Sequence, residues 1–276
     1  MTFKQALDKG IRLLEAEKIP DAKLDAWYLL SYVSELSKAE YFLKQNETVD
    51  ELILYKYKDV LLKRAMHTPL QYITGEQDFM GISFWVNENV LIPRQDTETL
   101  VEEALKVIPS GSHVLDLCTG SGCVIISLAM LGQGLTGIGV DISEEALAVA
   151  RENGNRLVGP KVDFVLGNLW QQVTGKFNAI VSNPPYIKTE VIEELASEVK
   201  DHEPRIALDG TEDGLFFYKQ IVGQAKDYLI DNGWLLVEIG YDQGTDVHSL
   251  FTQAGFKDVE IVKDLAGNDR VVKGHV

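Results

Sequence analysis

Four consecutive residues, Asn183, Pro184, Pro185 and Tyr186, carry the strongest chemical signal in this 276-residue chain. They follow the apolar run 177–181, which is typical of a buried strand. Because proline has no N–H and disfavours helical geometry in the preceding residue, the carbonyls here stay free to accept hydrogen bonds. The Asn183 side-chain oxygen and the Pro184 carbonyl could bind the two hydrogens of a planar –NH2 group, with the Tyr186 ring over its face. The segment indicates an amide or exocyclic amine nitrogen as substrate atom, although a proline-stiffened turn gives the same pattern.

A second segment has the composition of a cofactor loop. Residues 118–122 read Cys-Thr-Gly-Ser-Gly between an apolar run at 113–117 and a helical pattern. Its glycines let the backbone approach a ligand, and a helix start offers unpaired N–H groups. Asp141 ends the next apolar run, where a carboxylate could accept the hydroxyls of a ribose. The predicted cofactor-binding residues of these two segments are Cys118, Thr119, Gly120, Ser121, Gly122 and Asp141.

The charge around the loop distinguishes between nucleoside cofactors. The loop lacks the G-x-G-x-x-G spacing of dinucleotide sites, and Asp116 just before it would oppose a diphosphate. S-adenosylmethionine has no phosphate and carries positive charge, so acidic surroundings suit it. Asn168 and Trp170 follow the third apolar run and could hydrogen-bond and cover an adenine, or serve as a turn former and a core anchor. Such a cofactor beside an amide-binding Asn183 predicts methyl transfer to nitrogen.

The periodicity of the sequence predicts three parts. Residues 1–70 carry apolar positions at helical spacing and indicate a small helical bundle. Residues 71–95 change to period two and predict a β-hairpin linker, with its turn at 87–89. Residues 96–276 alternate helices with apolar strands, which predicts an α/β catalytic domain with a mainly parallel sheet.

The charge of the chain is unevenly distributed. The net charge is −16, yet residues 1–75 hold 11 basic and 11 acidic residues, so all the acidic surplus lies in 76–276. Such a catalytic domain would repel a phosphate backbone, which disfavours DNA binding, and the neutral first part is the better candidate for docking a protein substrate. Apolar stretches are too short for a membrane span, and the two cysteines fit reduced thiols with no metal site. A cytoplasmic location is expected.

The chain closely resembles a known family, the protein-(glutamine-N5) methyltransferases that modify peptide-chain release factors, also called PrmC or HemK. Asn-Pro-Pro-Tyr alone is shared with adenine-N6 methyltransferases of nucleic acids, which remain the alternative function. The combination with the other segments and the helical first domain is specific. The resembling segments are 90–98, 118–122, Asp141, 183–186, 203–208, 212–215 and 269–272.

The resemblance implies a class I, Rossmann-like methyltransferase with a seven-stranded sheet. It further implies that S-adenosylmethionine methylates the N5 atom of the glutamine in the Gly-Gly-Gln motif of class I release factors, leaving S-adenosylhomocysteine. Asn183, Pro184 and Tyr186 would be catalytic, Pro185 would join them in binding substrate, and Asn183 would also contact the cofactor. Members often have Gly where this chain has Cys118 and Pro where it has Gln95. Cys118 is expected to fit with a negative φ.

Overall fold

A computed structural model describes all 276 residues, which form two compact units. The first unit comprises residues 1–75 and 196–202, and the second comprises 76–195 and 203–276. The first unit is helical, as the periodicity predicts. Its helices are α1 (Phe3–Ala16), α2 (Ala22–Ser34), α3 (Lys38–Lys44), α4 (Glu51–Ala65), α5 (Leu70–Thr74) and the short α9 (Ser197–Lys200).

Local sequence explains where these helices start and what holds them together. Thr2 and Ser37 each form a capping box with the residue three positions later, which satisfies N–H groups at the starts of α1 and α3. Arg64 of α4 is buried, and its guanidinium contacts Asp25 of α2 at 2.7 Å and Glu198 of α9 at 2.8 Å. The pair of carboxylates offsets the cost of burying the cation. Arg64 thereby ties residues 196–202 to the helices of the first unit.

The second unit begins with a β-hairpin whose turn lies earlier than predicted. Strands β1 (Glu76–Phe79) and β2 (Ile82–Trp85) pair antiparallel around Met80 and Gly81. Both turn residues have positive φ, 53° and 72°, as two-residue hairpin turns favour. Residues 87–89 do form a turn, but no strand follows it, so the prediction of a hairpin turn there is wrong.

The core of the second unit is a seven-stranded sheet, and the predicted fold class is confirmed. Its strands are β3 (His113–Leu117), β4 (Thr136–Asp141), β5 (Val162–Leu166), β6 (Phe177–Ser182), β7 (Leu229–Glu238), β8 (Lys257–Lys263) and β9 (Asp269–His275). They lie in the order β5-β4-β3-β6-β7-β9-β8. The first five are parallel, and β9 pairs antiparallel with both β7 and β8.

Helices cover both faces of this sheet, so its central strands are apolar on both sides. On β3, Val114 packs in one core cluster with α6 and α7, while Leu115 packs in the other with α10 and α11. The helices are α6 (Gln95–Val107), α7 (Cys123–Leu131), α8 (Glu144–Leu157), α10 (Phe216–Tyr228) and α11 (Gly244–Gln253). Short 3-10 helices occupy Gly159–Lys161, Thr189–Glu194 and Arg205–Ala207. No helix in the chain has the length and apolar character needed to cross a membrane.

The strand order reverses between β3 and β6, which marks the crevice where α/β sheets bind ligands. The carboxyl ends of the parallel strands meet at this edge. Asp141 ends β4, Asn183 follows β6, and Glu238 ends β7. The fold therefore collects polar residues that are far apart in sequence.

Candidate active site

Two cavities open at this edge of the sheet, and Asn183 lines both. The larger has a volume of about 240 Å³, and its wall includes the loop 118–121, Asp141, Asn168 and Pro185. The smaller, of about 70 Å³, includes Pro184, Tyr186 and Glu238 in its wall. All the predicted residues except Gly122 and Trp170 therefore line one of two neighbouring cavities, and Asn183 lines both.

The loop after β3 is shaped by unusual backbone angles. Cys118, Gly120 and Gly122 have φ values of 61°, 54° and 79°. The expectation of a negative φ at Cys118 is therefore wrong, since the chain turns there in the left-handed region that favours glycine. A glycine here, as the family resemblance implies for many members, would adopt this angle without a side-chain clash. A Cβ at Gly120 would meet no atom within 4 Å, so a glycine there leaves room for a ligand.

Gly122 has a packing role instead of lining the cavity. It caps the start of α7, and a Cβ there would come within 2.9 Å of Ile126 and 3.2 Å of Phe164. Glycine is required at this position because the helix packs closely on a neighbouring ring. Gly122, which the sequence predicts as a cofactor contact, therefore lies outside the cavity wall, whereas Thr119 and Ser121 line the cavity.

Asp141 fixes the loop as well as facing the cavity. Its Oδ2 accepts the Gly120 N–H at 2.9 Å, and its Oδ1 accepts the Ser143 N–H at 3.0 Å. Each carboxylate oxygen keeps further acceptor capacity, so Asp141 could still accept hydroxyl groups of a ligand. Burial raises the pKa of Asp141, and the hydrogen bonds from backbone N–H groups partly oppose this.

Asp116 adds a second acid to the same cavity. It is fully buried on β3 and accepts a 2.6 Å hydrogen bond from the Thr119 hydroxyl. Burial raises its pKa, the Thr119 hydrogen bond lowers it and the charge of Asp141 raises it, which together give a pKa of about 7. Because a cation nearby would stabilise both carboxylates, the cavity is suited to a positively charged ligand and unsuited to a phosphate.

Of the two predicted cofactor residues that follow β5, one lies outside the cavities. Asn168 lines the larger cavity, but Trp170 lines neither. The Trp170 indole stacks on Tyr228 at 4.6 Å and donates its N–H to the Gln220 carbonyl at 3.0 Å. It is a core anchor, the alternative role that the sequence left open. Leu169, one residue earlier, occupies the cavity wall instead.

The Asn-Pro-Pro-Tyr segment presents unused acceptors. The Asn183 Nδ2 donates to the Thr97 hydroxyl at 3.2 Å, which leaves the Asn183 side-chain oxygen without a partner in the chain. The Pro184 carbonyl also accepts no hydrogen bond from the chain. Pro185 faces the larger cavity, while Pro184 and Tyr186 face the smaller. Two acceptors therefore converge beside the smaller cavity, as an –NH2 group requires.

Tyr186 is held from two sides. Its carbonyl accepts a hydrogen bond from the Gln243 amide at 3.0 Å, and its hydroxyl lies 3.5 Å from Oε1 of Glu238. Glu238 is 1% exposed, and its Oε2 has no hydrogen-bond partner. Burial raises the pKa of Glu238 to about 7, while the nearby Thr97 hydroxyl, the Arg270 cation and the Tyr186 hydroxyl act to lower it. A buried acid thus lies behind the Tyr186 ring.

The segment 202–205, whose role the sequence does not define, forms local ion pairs. Glu203 is buried and pairs with Arg94, which lines both cavities. Arg205 pairs with Glu193 at 3.1 Å on the surface. His202 belongs to the first unit, where its ring lies 3.2 Å from the Met66 carbonyl. The Arg94–Glu203 pair therefore supports the cavity walls.

Sequence reasoning missed two residues of the site, Thr97 and Glu238. Thr97 lies in the segment 90–98 that carries the family resemblance, without a role assigned to it. Glu238 follows the apolar residues 235–237 and ends a parallel strand. The rule that selected Asp141, a polar residue at the carboxyl end of an apolar strand, selects Glu238 too.

The architecture is that of a class I methyltransferase. A solved structure of a methyltransferase from Pyrococcus furiosus matches it with a TM-score of 0.54 at 18% identity, covering 71% of this chain and 90% of that one. This likeness shows the fold. Two family models also match, the PrmC N-terminal domain over residues 5–75 and the methyltransferase small domain over residues 95–201.

Full-length relatives define the family. The release factor glutamine methyltransferase of Geobacter sulfurreducens is 40% identical over 276 residues, covering 100% of this chain and 97% of the relative. That of Clostridium acetobutylicum is 39% identical, covering 99% and 98%. The chain belongs to the release factor glutamine methyltransferase family, and the resemblance seen in the sequence is confirmed.

Proposed function

We propose that this protein transfers a methyl group from S-adenosylmethionine to the N5 atom of the glutamine in the Gly-Gly-Gln motif of class I release factors. The observation that carries the proposal is the position of Asn183 in the walls of both cavities. A group bound in the larger cavity and an amide bound in the smaller would meet at this residue. Family membership supports glutamine as the methylated side chain.

The larger cavity fits S-adenosylmethionine in its charge and its backbone. Asp116 and Asp141 suit a cationic ligand, and the open space at Gly120 allows close approach to the loop. Asp141 would accept the ribose hydroxyls, and Asn168 would hydrogen-bond the adenine. When bound, the cofactor supplies an electrophilic methyl group on its sulfonium.

The smaller cavity would compensate for the poor reactivity of an amide. A glutamine nitrogen is a weak nucleophile because its lone pair is delocalised, so positioning has to provide much of the rate. The Asn183 oxygen and the Pro184 carbonyl would accept the two amide hydrogens and stabilise the positive charge that develops on nitrogen. The Tyr186 ring would cover the amide face and exclude water.

Labelled methyl transfer tests this proposal directly. Purified protein with S-adenosylmethionine should label an intact class I release factor and not its Gln→Asn variant in the Gly-Gly-Gln motif. Mass spectrometry should place one methyl group on the glutamine side chain. Labelling of DNA or RNA adenine with the release factor left unmethylated would overturn the proposal in favour of the adenine-N6 alternative.

For the first unit we propose a docking role toward the release factor. Leu24, Tyr28 and Tyr32 follow each other at intervals of four on α2 and are 51%, 49% and 50% exposed. This spacing places them along one face of the helix. Exposed tyrosines in an apolar stripe are typical anchors of protein interfaces. The neutral charge of residues 1–75 is compatible with a protein partner.

Surface variants separate docking from chemistry. Replacing Tyr28 and Tyr32 together with Ser should lower kcat/KM on the whole release factor. Methylation of a short Gly-Gly-Gln peptide should be unchanged, because the peptide needs only the Asn183 cavity. Tyr241→Ser, at a 72% exposed position of the second unit, is the matched control. Equal losses on factor and peptide would contradict a docking role.

A further inference from the structure

Gln243 is a buried polar residue at the start of α11, and it lines neither cavity. Its Nε2 donates to the Tyr186 carbonyl at 3.0 Å and to the Gly214 carbonyl at 3.2 Å. Its Oε1 accepts the Gly240 N–H at 2.9 Å and the Tyr218 hydroxyl at 3.2 Å. A side-chain amide has two N–H donors and an oxygen that accepts two hydrogen bonds. All four are used here, so Gln243 joins three other stretches of chain to the Asn-Pro-Pro-Tyr segment.

The Gly240 backbone fixes which way the Gln243 amide points. A backbone N–H can only donate, so it must face the amide oxygen. The Tyr218 hydroxyl is shared between this oxygen and the Glu238 carbonyl at 3.0 Å, which makes it the weaker restraint. With the amide rotated by 180°, its oxygen would face two carbonyls and its –NH2 group would face an N–H. The donor end is therefore committed to the Tyr186 carbonyl.

The Asn-Pro-Pro-Tyr segment depends on partners outside itself. Pro184 and Pro185 have no N–H, and their carbonyls accept no hydrogen bond from the chain. Backbone pairing resumes at Ile187, whose N–H and carbonyl both pair with residues 208–210. The Gln243 amide therefore provides the first hydrogen bond that holds the chain after the two prolines.

Close packing surrounds the Tyr186 carbonyl. A Cβ at Gly210 would lie 2.7 Å from the Tyr186 carbonyl carbon. A Cβ at Gly214 would lie 2.5 Å from the Tyr186 carbonyl oxygen and 2.6 Å from Nε2 of Gln243. Gly214 also has a φ of 69°, which favours glycine. Glycine at these two positions lets the loop 210–214 approach the Tyr186 backbone, and the Gln243 amide hydrogen-bonds both the loop and the carbonyl.

We propose that Gln243 is a positioning residue for methyl transfer, which holds the Tyr186 carbonyl so that the Pro184 carbonyl keeps its place in the smaller cavity. The inference rests on the proposed transfer to a glutamine amide. Peptide bonds are planar and proline fixes φ, so the segment has few soft dihedrals. A displacement of the Tyr186 carbonyl is therefore passed back to Pro184. Gln243 acts through the segment and touches neither substrate nor cofactor.

Gln243→Met and Gln253→Met test this role with the same chemical change at two places on α11. Gln243→Met removes all four hydrogen bonds at similar volume. Single-turnover methylation of a saturating Gly-Gly-Gln peptide should fall by roughly 10-fold or more, since a misplacement of about 1 Å can cost about 10²-fold. Calorimetry should show nearly unchanged affinity for S-adenosylhomocysteine, because Gln243 lies outside the larger cavity. Gln253 is exposed at the end of the helix, so its variant should behave as wild type.

Gln243→Glu provides a second variant that does not depend on the folding of Gln243→Met. Its carboxyl keeps an oxygen for the Gly240 N–H. It has at most one proton for the two carbonyls that the amide serves with two. The single-turnover rate should therefore fall several-fold, again with S-adenosylhomocysteine affinity kept. This variant isolates the donor end of the side chain, which is the end that holds Tyr186.

A purely structural role of Gln243 gives a different result. Both variants would then lower stability in urea, while the folded fraction, counted by S-adenosylhomocysteine binding, would methylate the peptide at the wild-type rate. A wild-type rate in either folded variant overturns the positioning role. A wild-type protein that binds S-adenosylmethionine but methylates no glutamine would instead overturn the proposed function, so the two failures are distinguishable.

Discussion

The two halves of the candidate site lie on the same sheet edge but are built from different parts of the chain. Beside β3 and β4, the shape of the site is set mainly by the backbone of the loop 118–122 and by the backbone N–H groups that donate to Asp141. Beside β6 and β7, the shape of the site is set mainly by the side chains of Asn183, Thr97 and Glu238. In the first half, the loop 118–122 should tolerate exchange of its side chains as long as the backbone angles and the Asp141 carboxylate are kept. The second should fail when one polar group is lost.

Asn183→Ala should have the largest effect. It removes the acceptor that gains most as charge develops on the substrate nitrogen, so the methyl-transfer rate should fall roughly 10²-fold or more. Affinity for S-adenosylhomocysteine should change little. Single-turnover kinetics and calorimetry measure the two quantities. Asn155→Ala, at an exposed position of α8, is the control. A near wild-type rate in Asn183→Ala would show that the Asn183 side chain does not contribute to methyl transfer.

Asp141→Ala should weaken binding of S-adenosylhomocysteine, whereas Asn183→Ala should lower the methyl-transfer rate. Loss of one or two charged hydrogen bonds should weaken S-adenosylhomocysteine binding by about 2 to 4 kcal/mol. The Gly120 N–H also loses its acceptor, so the loop should loosen. Calorimetry measures the affinity, and Asp141→Asn, which keeps one acceptor oxygen, should fall between Ala and wild type. Unchanged affinity in the Ala variant would exclude the ribose-binding role.

The same contrast explains how much the sequence could predict. Asn183, Asp141 and the loop 118–122 stand next to apolar strands, so a local pattern places them at the sheet edge. The parallel strands follow from apolar runs for the same reason, whereas the number of seven strands was implied by the family resemblance. Trp170 and Gly122 stand in the same kind of pattern, yet their side-chain surroundings depend on Tyr228 and Phe164, which are distant in sequence.

Backbone angles and side-chain partners that depend on tertiary structure cannot be predicted from local sequence patterns. The positive φ of Cys118 contradicts its residue type, and no local rule assigns it. The hairpin turn at Met80 and Gly81 was missed because the turn residues at 87–89 look equally favourable in sequence. The link from Asn183 to Thr97 joins residues 86 positions apart. Such contacts are set by the packing of α6 against the sheet.

Asp116→Asn tests whether the buried acid in the first half of the site makes the stability of the protein depend on pH. Burial holds the folded pKa of Asp116 at about 7, above its value of 3.8 in the absence of burial. Its stabilising contribution is therefore present below the lower pKa and is lost as the pH rises through about 7. The Asn variant stays neutral. Between pH 5 and pH 8 it should gain roughly 1 to 3 kcal/mol in unfolding free energy relative to wild type.

Urea unfolding at the two pH values measures this difference. Asp163→Asn, an exposed carboxyl position on β5, should show no such gain. Near neutral pH, the affinity of Asp116→Asn for S-adenosylhomocysteine should also depend less on pH than the affinity of the wild type. Parallel stability curves for wild type and Asp116→Asn would show that the acid is solvated and not buried in solution.

Cys118→Gly should have the smallest effect, a slight increase in stability. A side chain at φ 61° costs on the order of 1 to 2 kcal/mol, and glycine relieves it. Glycine also gives the unfolded chain more freedom, which opposes the gain by about 0.4 to 1 kcal/mol. The net stabilisation should be up to about 1 kcal/mol by urea unfolding. Cys118→Ala keeps the Cβ and should give no gain, so it separates backbone strain from loss of the thiol. Equal stabilisation by Ala and Gly would mean that the thiol, and not the backbone angle, is the source of strain in this half of the site.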